Sequence, residues 1–188
     1  MFLESARLRL RPMELADEEA MFQYHSNPDV VRYIPWFPRD RDQVRASITK
    51  IMTATRLEVE GDYLNLAVTL KSTGRLIGQV SIEFTSGVNE GGEIGYVFNP
   101  EFSGEGYATE AIATIISHGI DLVGFHRVIA RTDPRNAASM KVLERLGFRQ
   151  EAHFISEEFI KGEWVDTLIF AVLDTEWLEL RKKWDFEG

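Results

Sequence analysis

Cysteine is absent from the sequence. That excludes disulfides, thiolate-bound zinc and a thiol nucleophile together, and it fits a reducing compartment. Histidine is scarce. His25, His118, His126 and His153 form no HExxH element and no close pair, which argues against a zinc hydrolase. Each reads most simply as a surface or half-buried residue. There is no G-x-S-x-G elbow and no P-loop lysine behind a glycine-rich loop. No apolar run approaches the roughly 18 residues of a membrane helix. The stretch Met1 to Arg11 alternates arginine with leucine and lacks the apolar core of a signal peptide. The expected location is the cytoplasm. Basic residues are the minority, 21 against 30 acidic ones, for a net charge of −9. That balance argues against duplex nucleic acid or an anionic membrane as the main partner and favours amines or basic proteins.

What is present is an ordinary globular composition. Hydrophobic residues make up 44% of 188, enough for one core and one domain spanning 1–188. Leu8 and Leu10 alternate with Arg7, Arg9 and Arg11 in a half-buried strand ended by Pro12. Asp17 starts a helix to about Ser26, and a short helical turn through Tyr33 follows Asn27-Pro28. Asp40 caps a longer helix carrying Val44, Ile48, Ile51, Met52 and Thr55, which Gly61-Asp62 stops. Three strands follow, Tyr63 to Leu70, Arg75 to Phe84 and Gly91 to Phe98. A second helix buries Ala108, Ala111, Ile112, Ile115, Ile116, Gly119, Ile120 and Val123. His126 to Thr132 reads as a strand and Asn136 to Leu146 as a helix ended by Gly147. Two strands then surround a Lys161-Gly162-Glu163 turn, and a closing helix runs from Thr175 to Trp184. Helices separate some strands and not others, so the class is mixed α/β rather than regularly wound.

Two stretches carry chemistry. In the first, Ser103, Gly104, Glu105, Gly106, Tyr107, Ala108 and Thr109 join a strand to a helix. Glycines there let backbone N–H groups and the helix dipole close around a phosphate. Alone, the stretch reads equally as a plain strand-to-helix turn. In the second, Asn136 caps a helix and Ser139 lies three residues on, along one edge of its first turn. A structural cap and a solvated serine explain that pattern equally well.

Taken together, the two stretches resemble the GNAT N-acetyltransferases, and within them the RimJ/RimL branch that acetylates protein N-termini. The loop is similar to their Q/R-x-x-G-x-G/A pyrophosphate motif through Ser103, Gly106 and Ala108, with Ser103 departing from the usual Gln or Arg. Arg7 to Pro12 resembles the branch's opening strand, Glu93-Ile94-Gly95-Tyr96 its central strand, Asn136 and Ser139 its Asn-x-x-Ser element. Glu158, Gly162, Trp164 and Asp166 resemble its substrate-side hairpin, and Glu176-Trp177 its closing pair.

The resemblance implies a GNAT fold, a mixed, largely antiparallel central sheet flanked by helices. It implies acetyl-CoA as cosubstrate, no metal, and a primary amine as acceptor. The coenzyme is expected on residues 103–109, on Asn136 and Ser139, and on backbone N–H of Tyr96, Val97 or Phe98 for the thioester carbonyl. Glu158 is the expected general base and Ser139 the expected acid. Strand alternation admits only one of Glu157 and Glu158 to the active-site face. Glu93 is the alternative base and Arg135 a helper near the coenzyme. Affinity for the coenzyme is expected to depend weakly on salt. Trp36, Phe37 and Trp164 read as core aromatics, or else as walls of the acceptor site. The branch implies a protein N-terminal α-amine as acceptor. The alternatives are a polyamine, aminoglycoside or amino-acid amine, or a non-catalytic acetyl-CoA-binding module. Folds of this kind often dimerise, so a homodimer is a further partner the resemblance allows.

Overall fold

A computed structural model describes residues 2–183. Eight strands, β1 (Leu3–Glu4), β2 (Leu8–Pro12), β3 (Tyr63–Leu70), β4 (Leu76–Ser86), β5 (Gly91–Phe98), β6 (Arg127–Thr132), β7 (Arg149–Ile160) and β8 (Glu163–Leu173), form one sheet in the order β1-β2-β3-β4-β5-β6-β8-β7. Every neighbouring pair is antiparallel except β5 and β6. The crossover between those two carries helix α3 (Tyr107–His118). This is the mixed, largely antiparallel sheet that the resemblance implies.

Strand alternation divides the sheet into two faces. On one, Leu64, Leu66, Val80, Ile82, Ile94 and Val128 pack under α3, α4 (Ala137–Leu146) and Trp177 of α5 (Asp174–Leu180). The other face places Ala67 and Val97 against α1 (Glu18–His25) and α2 (Arg41–Ile51). Among the described residues, no helix is long and apolar enough to cross a membrane.

Several elements depart from the sequence reading. Helix α2 stops at Ile51, ten residues before Gly61. Beyond it, Ala54 accepts from the Asn65 N–H and Thr55 bridges to Leu64, so sheet pairing claims the segment. Residues 28–33 hold isolated turns rather than a helix. Helix α3 ends in a π-turn, Gly119–Val123; a Cβ on Gly119 would meet Phe125 and Ile82 at under 3.0 Å. His25 is 1% exposed rather than half-buried. The closing helix ends within the described residues at Lys183, and Trp184 lies outside them.

One long-range contact ties the first strands to the start of α3. The Glu110 carboxylate accepts from Ser5 Oγ at 2.7 Å, the Arg7 N–H at 2.8 Å and Arg7 Nε at 2.7 Å. Arg7 Nη1 also donates to the Glu105 carbonyl, and its guanidinium sits 4.5 Å from the Tyr107 ring centre. Glu110→Ala leaves these donors without their acceptor. The expected loss is about 2–3 kcal/mol in urea unfolding.

Candidate active site

The site begins where pairing between β5 and β6 ends. Their register runs from Gly91↔Arg127 to Ile94↔Ala130 and no further, while β4 stays paired to β5 as far as Phe98. The Asn99 N–H donates to the Ile77 carbonyl on β4. By alternation the backbone groups of Gly95 and Val97 also face β4, and those of Tyr96 and Phe98 face the opening. Of the three residues expected to offer a carbonyl-binding amide, Tyr96 and Phe98 present theirs to the gap. Val97 is turned the other way.

A cleft of about 1420 Å³ passes through this gap. On the side of α3 it is lined by Ser103, Gly104 and Gly106 to Thr109. Gly104 and Gly106 have φ of +88° and +80°, a region open to glycine. Gly106 is the N-cap of α3 and supplies no side chain. The first intrahelical bond runs from the Glu110 N–H to the Gly106 carbonyl. The amides of Tyr107, Ala108 and Thr109 thus have no intrahelical acceptor. Thr109 Oγ1 is buried without a partner. Unused amides and an orphaned hydroxyl at a helix N-terminus fit a pyrophosphate. Glu105 is outside the cleft lining, its carbonyl bound to Arg7.

Helix α4 forms the next wall. Asn136 caps it by accepting from the Ser139 N–H at 3.1 Å. Ser139 Oγ lies 2.7 Å from the Tyr96 hydroxyl. Burial pushes the Tyr96 phenol up to about 12. The sequence reading used only the backbone of Tyr96. The alternation that aims its side chain toward α4 was nonetheless legible.

Arg135, expected to help the coenzyme, is committed to Asp133 and Glu163 and does not line the cleft. Lys141 and Arg145, one helical turn apart on α4, do line it. Neither holds a carboxylate among the described residues. Their i, i+4 spacing behind Ser139 was the signal available in sequence.

Across the sheet, on the α1–α2 face, lie Asn65, Gln79, Ser81, Glu83 and Glu93. Glu83 and Glu93 are direct cross-strand partners. Burial raises the Glu93 carboxyl above the usual range, against the pull of Arg131. Glu158 does not line the cleft. Its carboxylate and that of Glu157 each accept from Arg131 Nη2 at 2.8 Å. Alternation had admitted only one of them to this face. A bulge between Phe154 and Glu158, with Ser156 at φ 50°, breaks the alternation and brings both together. Phe37 and Trp164 are 66% and 63% exposed, so neither is a core aromatic, and Trp36 lines the cleft. Lys161, at the β7–β8 turn, donates to the carbonyls of Val31 and Arg32 and straps the hairpin to the α1–α2 connection.

The chain matches the GNAT acetyltransferase domain family over residues 7–149. It is similar to an uncharacterized N-acetyltransferase, p20, of Bacillus licheniformis, 32% identical over 93% of this chain and 97% of that one. A spermidine N(1)-acetyltransferase of Escherichia coli is 22% identical over 93% of this chain and 90% of its own length. Among solved structures, a GNAT-family acetyltransferase from Bacillus anthracis superimposes with a TM-score of 0.85 at 33% identity, covering 94% of this chain and all of that one.

The two α4 cations change the expected salt response. Replacing both Lys141 and Arg145 by Gln is expected to weaken acetyl-CoA binding about tenfold at low salt. The dependence of affinity on salt should flatten in the same variant. Calorimetric titration at two ionic strengths checks both effects.

Proposed function

The chain belongs to the GNAT acetyltransferase family and is an acetyl-CoA-dependent N-acetyltransferase; from that premise we propose that its acceptor is the primary amine of a small molecule. The observation that carries this reading is the gap between β5 and β6. It opens the sheet between a carboxylate on one face, Glu93, and a hydroxyl pair on the other, Tyr96 and Ser139. Residues 1–188 act as one catalytic unit in this reading, since one sheet carries every described strand.

The amides of residues 107–109 and the Thr109 hydroxyl hold the pyrophosphate, with Lys141 and Arg145 beside it. Asn136 keeps the first turn of α4 in place. The bound thioester supplies the acetyl group and a sulfur leaving group. The N–H groups of Tyr96 and Phe98 polarise a carbonyl placed in the gap. Glu93 takes a proton from the incoming ammonium, and its raised carboxyl suits it to that transfer near neutral pH. An α-amine near pKa 7.8 is about 15% neutral at pH 7, whereas a lysine-type amine is under about 0.1% neutral, so the demand on Glu93 grows with the basicity of the acceptor. The Tyr96–Ser139 pair holds a proton at the Ser139 Oγ on the opposite face. Glu158 ranks second as base, because its carboxylate is engaged by Arg131 and stands outside the cleft lining.

One observation favours a small acceptor over a peptide. The floor of the acceptor side is polar and buried, with Asn65, Gln79 and Ser81 at 3%, 8% and 7% exposure. Lys161 ties the β7–β8 turn to the α1–α2 connection at the Val31 carbonyl, which fixes the outer hairpin against the wall of the acceptor side. Similarity to a spermidine acetyltransferase agrees with a small amine. A protein N-terminus, the acceptor of the branch it resembles, is the reading the same assay tests.

The experiment is thiol release from acetyl-CoA with small amines and with N-terminal peptides, products being located by mass spectrometry. Glu93→Gln should lower kcat at least about 100-fold with acetyl-CoA affinity unchanged. Glu158→Gln should cost no more than about fivefold. In the parent enzyme kcat/KM should fall as pH drops through the raised Glu93 carboxyl, above the usual glutamate range, and that acid limb should vanish in Glu93→Gln. The reverse ranking of the two variants would make Glu158 the base. Acetylation of peptides alone would return the acceptor to protein N-termini.

A further inference from the structure

Arg39 stands apart from the other arginines. Every other described arginine except Arg145 holds a carboxylate in a salt bridge. Arg39 lines the acceptor side of the cleft. Its partners are neutral. Nη1 donates to Ser47 Oγ at 2.6 Å and lies 3.2 Å from His25 Nδ1. Its guanidinium stacks 4.0 Å above the centre of the Trp36 ring. Among the described residues, Nε and Nη2 have no partner. They form the edge of the guanidinium that takes a carboxylate or phosphate in two parallel hydrogen bonds.

The neighbours of Arg39 hold that edge in place. Burial lowers the His25 imidazole to about 4, so the ring is neutral. A neutral ring accepting at Nδ1 carries its proton on Nε2, which donates to Gln79 Oε1 at 3.2 Å. Tyr24 OH donates to the same oxygen. The Gln79 amide therefore turns its NH₂ away from that network, on the same sheet face as Glu93. His25 also packs on Trp36, with ring centres 4.7 Å apart. Two fixed bonds and an aromatic platform orient Arg39 without neutralising it. Desolvation without a counter-ion is costly for a protein to maintain.

The acceptor side is polarised as well. Lys50 lies one helical turn from Ser47 on α2 and also lines the cleft. Arg39 and Lys50 thus stand on the α1–α2 wall, where the lining carboxylate Asp29 is paired with Arg32, while the carboxylates Glu83 and Glu93 occupy the β4–β5 floor, with Arg131 acting on Glu93. A molecule with an ammonium at one end and an anion at the other would align along that axis. A polycation would meet Arg39 and Lys50 as like charges.

We propose that the acceptor carries an anionic group, a carboxylate or a phosphate, bound by Arg39 at the opposite end of the acceptor pocket from Glu93. The proposal rests on the small-amine reading of the acceptor and names its chemical class: an amphoteric amine.

The test uses matched acceptors that differ only in the anion. Amino acids are compared with their amides, phosphoethanolamine with ethanolamine, and spermidine serves as the polycation. The parent enzyme is expected to favour the anionic member of at least one pair by about tenfold or more in kcat/KM. The pair that shows it separates carboxylate from phosphate. In Arg39→Gln that preference should shrink at least tenfold, and Arg39→Lys should restore part of it. No preference in the parent, a preference for spermidine, or an equal fall for both members of a pair in Arg39→Gln would overturn the proposal. An equal fall would make Arg39 a strut of the α1–α2 connection. A binding arm needs no turnover: N-acetylglycine should bind the coenzyme A-loaded protein at least tenfold more tightly than N-acetylglycinamide, and Arg39→Gln should abolish the difference. For the phosphate arm, N-acetyl-phosphoethanolamine and N-acetylethanolamine take the same places. Anion-selective binding without acetylation of any small amine would sink the small-amine reading and leave the Arg39 site standing. Acetylation of small amines without anion selectivity would do the opposite.

Discussion

A parallel pair of strands that separates after four residues of register shapes everything around it. Within a sheet an unpaired N–H is a cost that a neighbouring strand normally removes. Here β5 continues past Ile94 with one edge satisfied by β4 and the other open. Because successive residues alternate between faces, the run past Ile94 that exposes the amides of Tyr96 and Phe98 to the gap also divides the side chains. Tyr96 is sent toward α4, and the Glu93 and Gly95 positions face the α1–α2 layer. The opening therefore joins two chemically different compartments through the thickness of one sheet, and no loop has to be placed with great accuracy to achieve it.

Charge is distributed with similar economy. The chain carries a net charge of −9, a field that repels polyanionic ligands at a distance. Binding one requires local exceptions, and the structure supplies them by leaving particular cations without carboxylates. Lys141 and Arg145 on α4 line one compartment and Arg39 and Lys50 the other, none of them paired with a carboxylate among the described residues. Elsewhere arginine is spent on holding elements together, as Arg131 gathers Glu157 and Glu158 across the outer hairpin. Which arginines are structural and which are available follows from their partners, not from their number.

That distinction marks the boundary of what could be read in the sequence. Strands β3 and β5 lie where alternation and turn residues put them, Tyr63–Leu70 and Gly91–Phe98. Gly104 and Gly106 adopt the backbone that their place before a helix requires, and Asn136 caps α4 as expected. These are local properties, set by neighbours within a few residues. The misjudged features depend on distant partners. Helix α2 stops early because Asn65 draws Ala54 into the sheet. Glu157 and Glu158 share a face because the register of β7 slips against β8. Arg135 is lost to the site because Asp133 and Glu163 reach it first. His25 is deeply buried because Gln79, from a strand 54 residues away, supplies its partner.

The bond between Arg7 and Glu110 spans 103 residues of sequence, and it has a consequence for how the chain matures. Arg7 is made 103 residues before Glu110, so their bond waits on the synthesis of the segment between them. Closing a loop of that length costs chain entropy, which the pairing of β2 with β3 and of β3 with β4 reduces. The glycine loop that Arg7 braces through the Glu105 carbonyl therefore owes its support to a segment distant in sequence. A ligand bound at that loop would, by linkage, strengthen the contact that joins the segment before β2 to the start of α3.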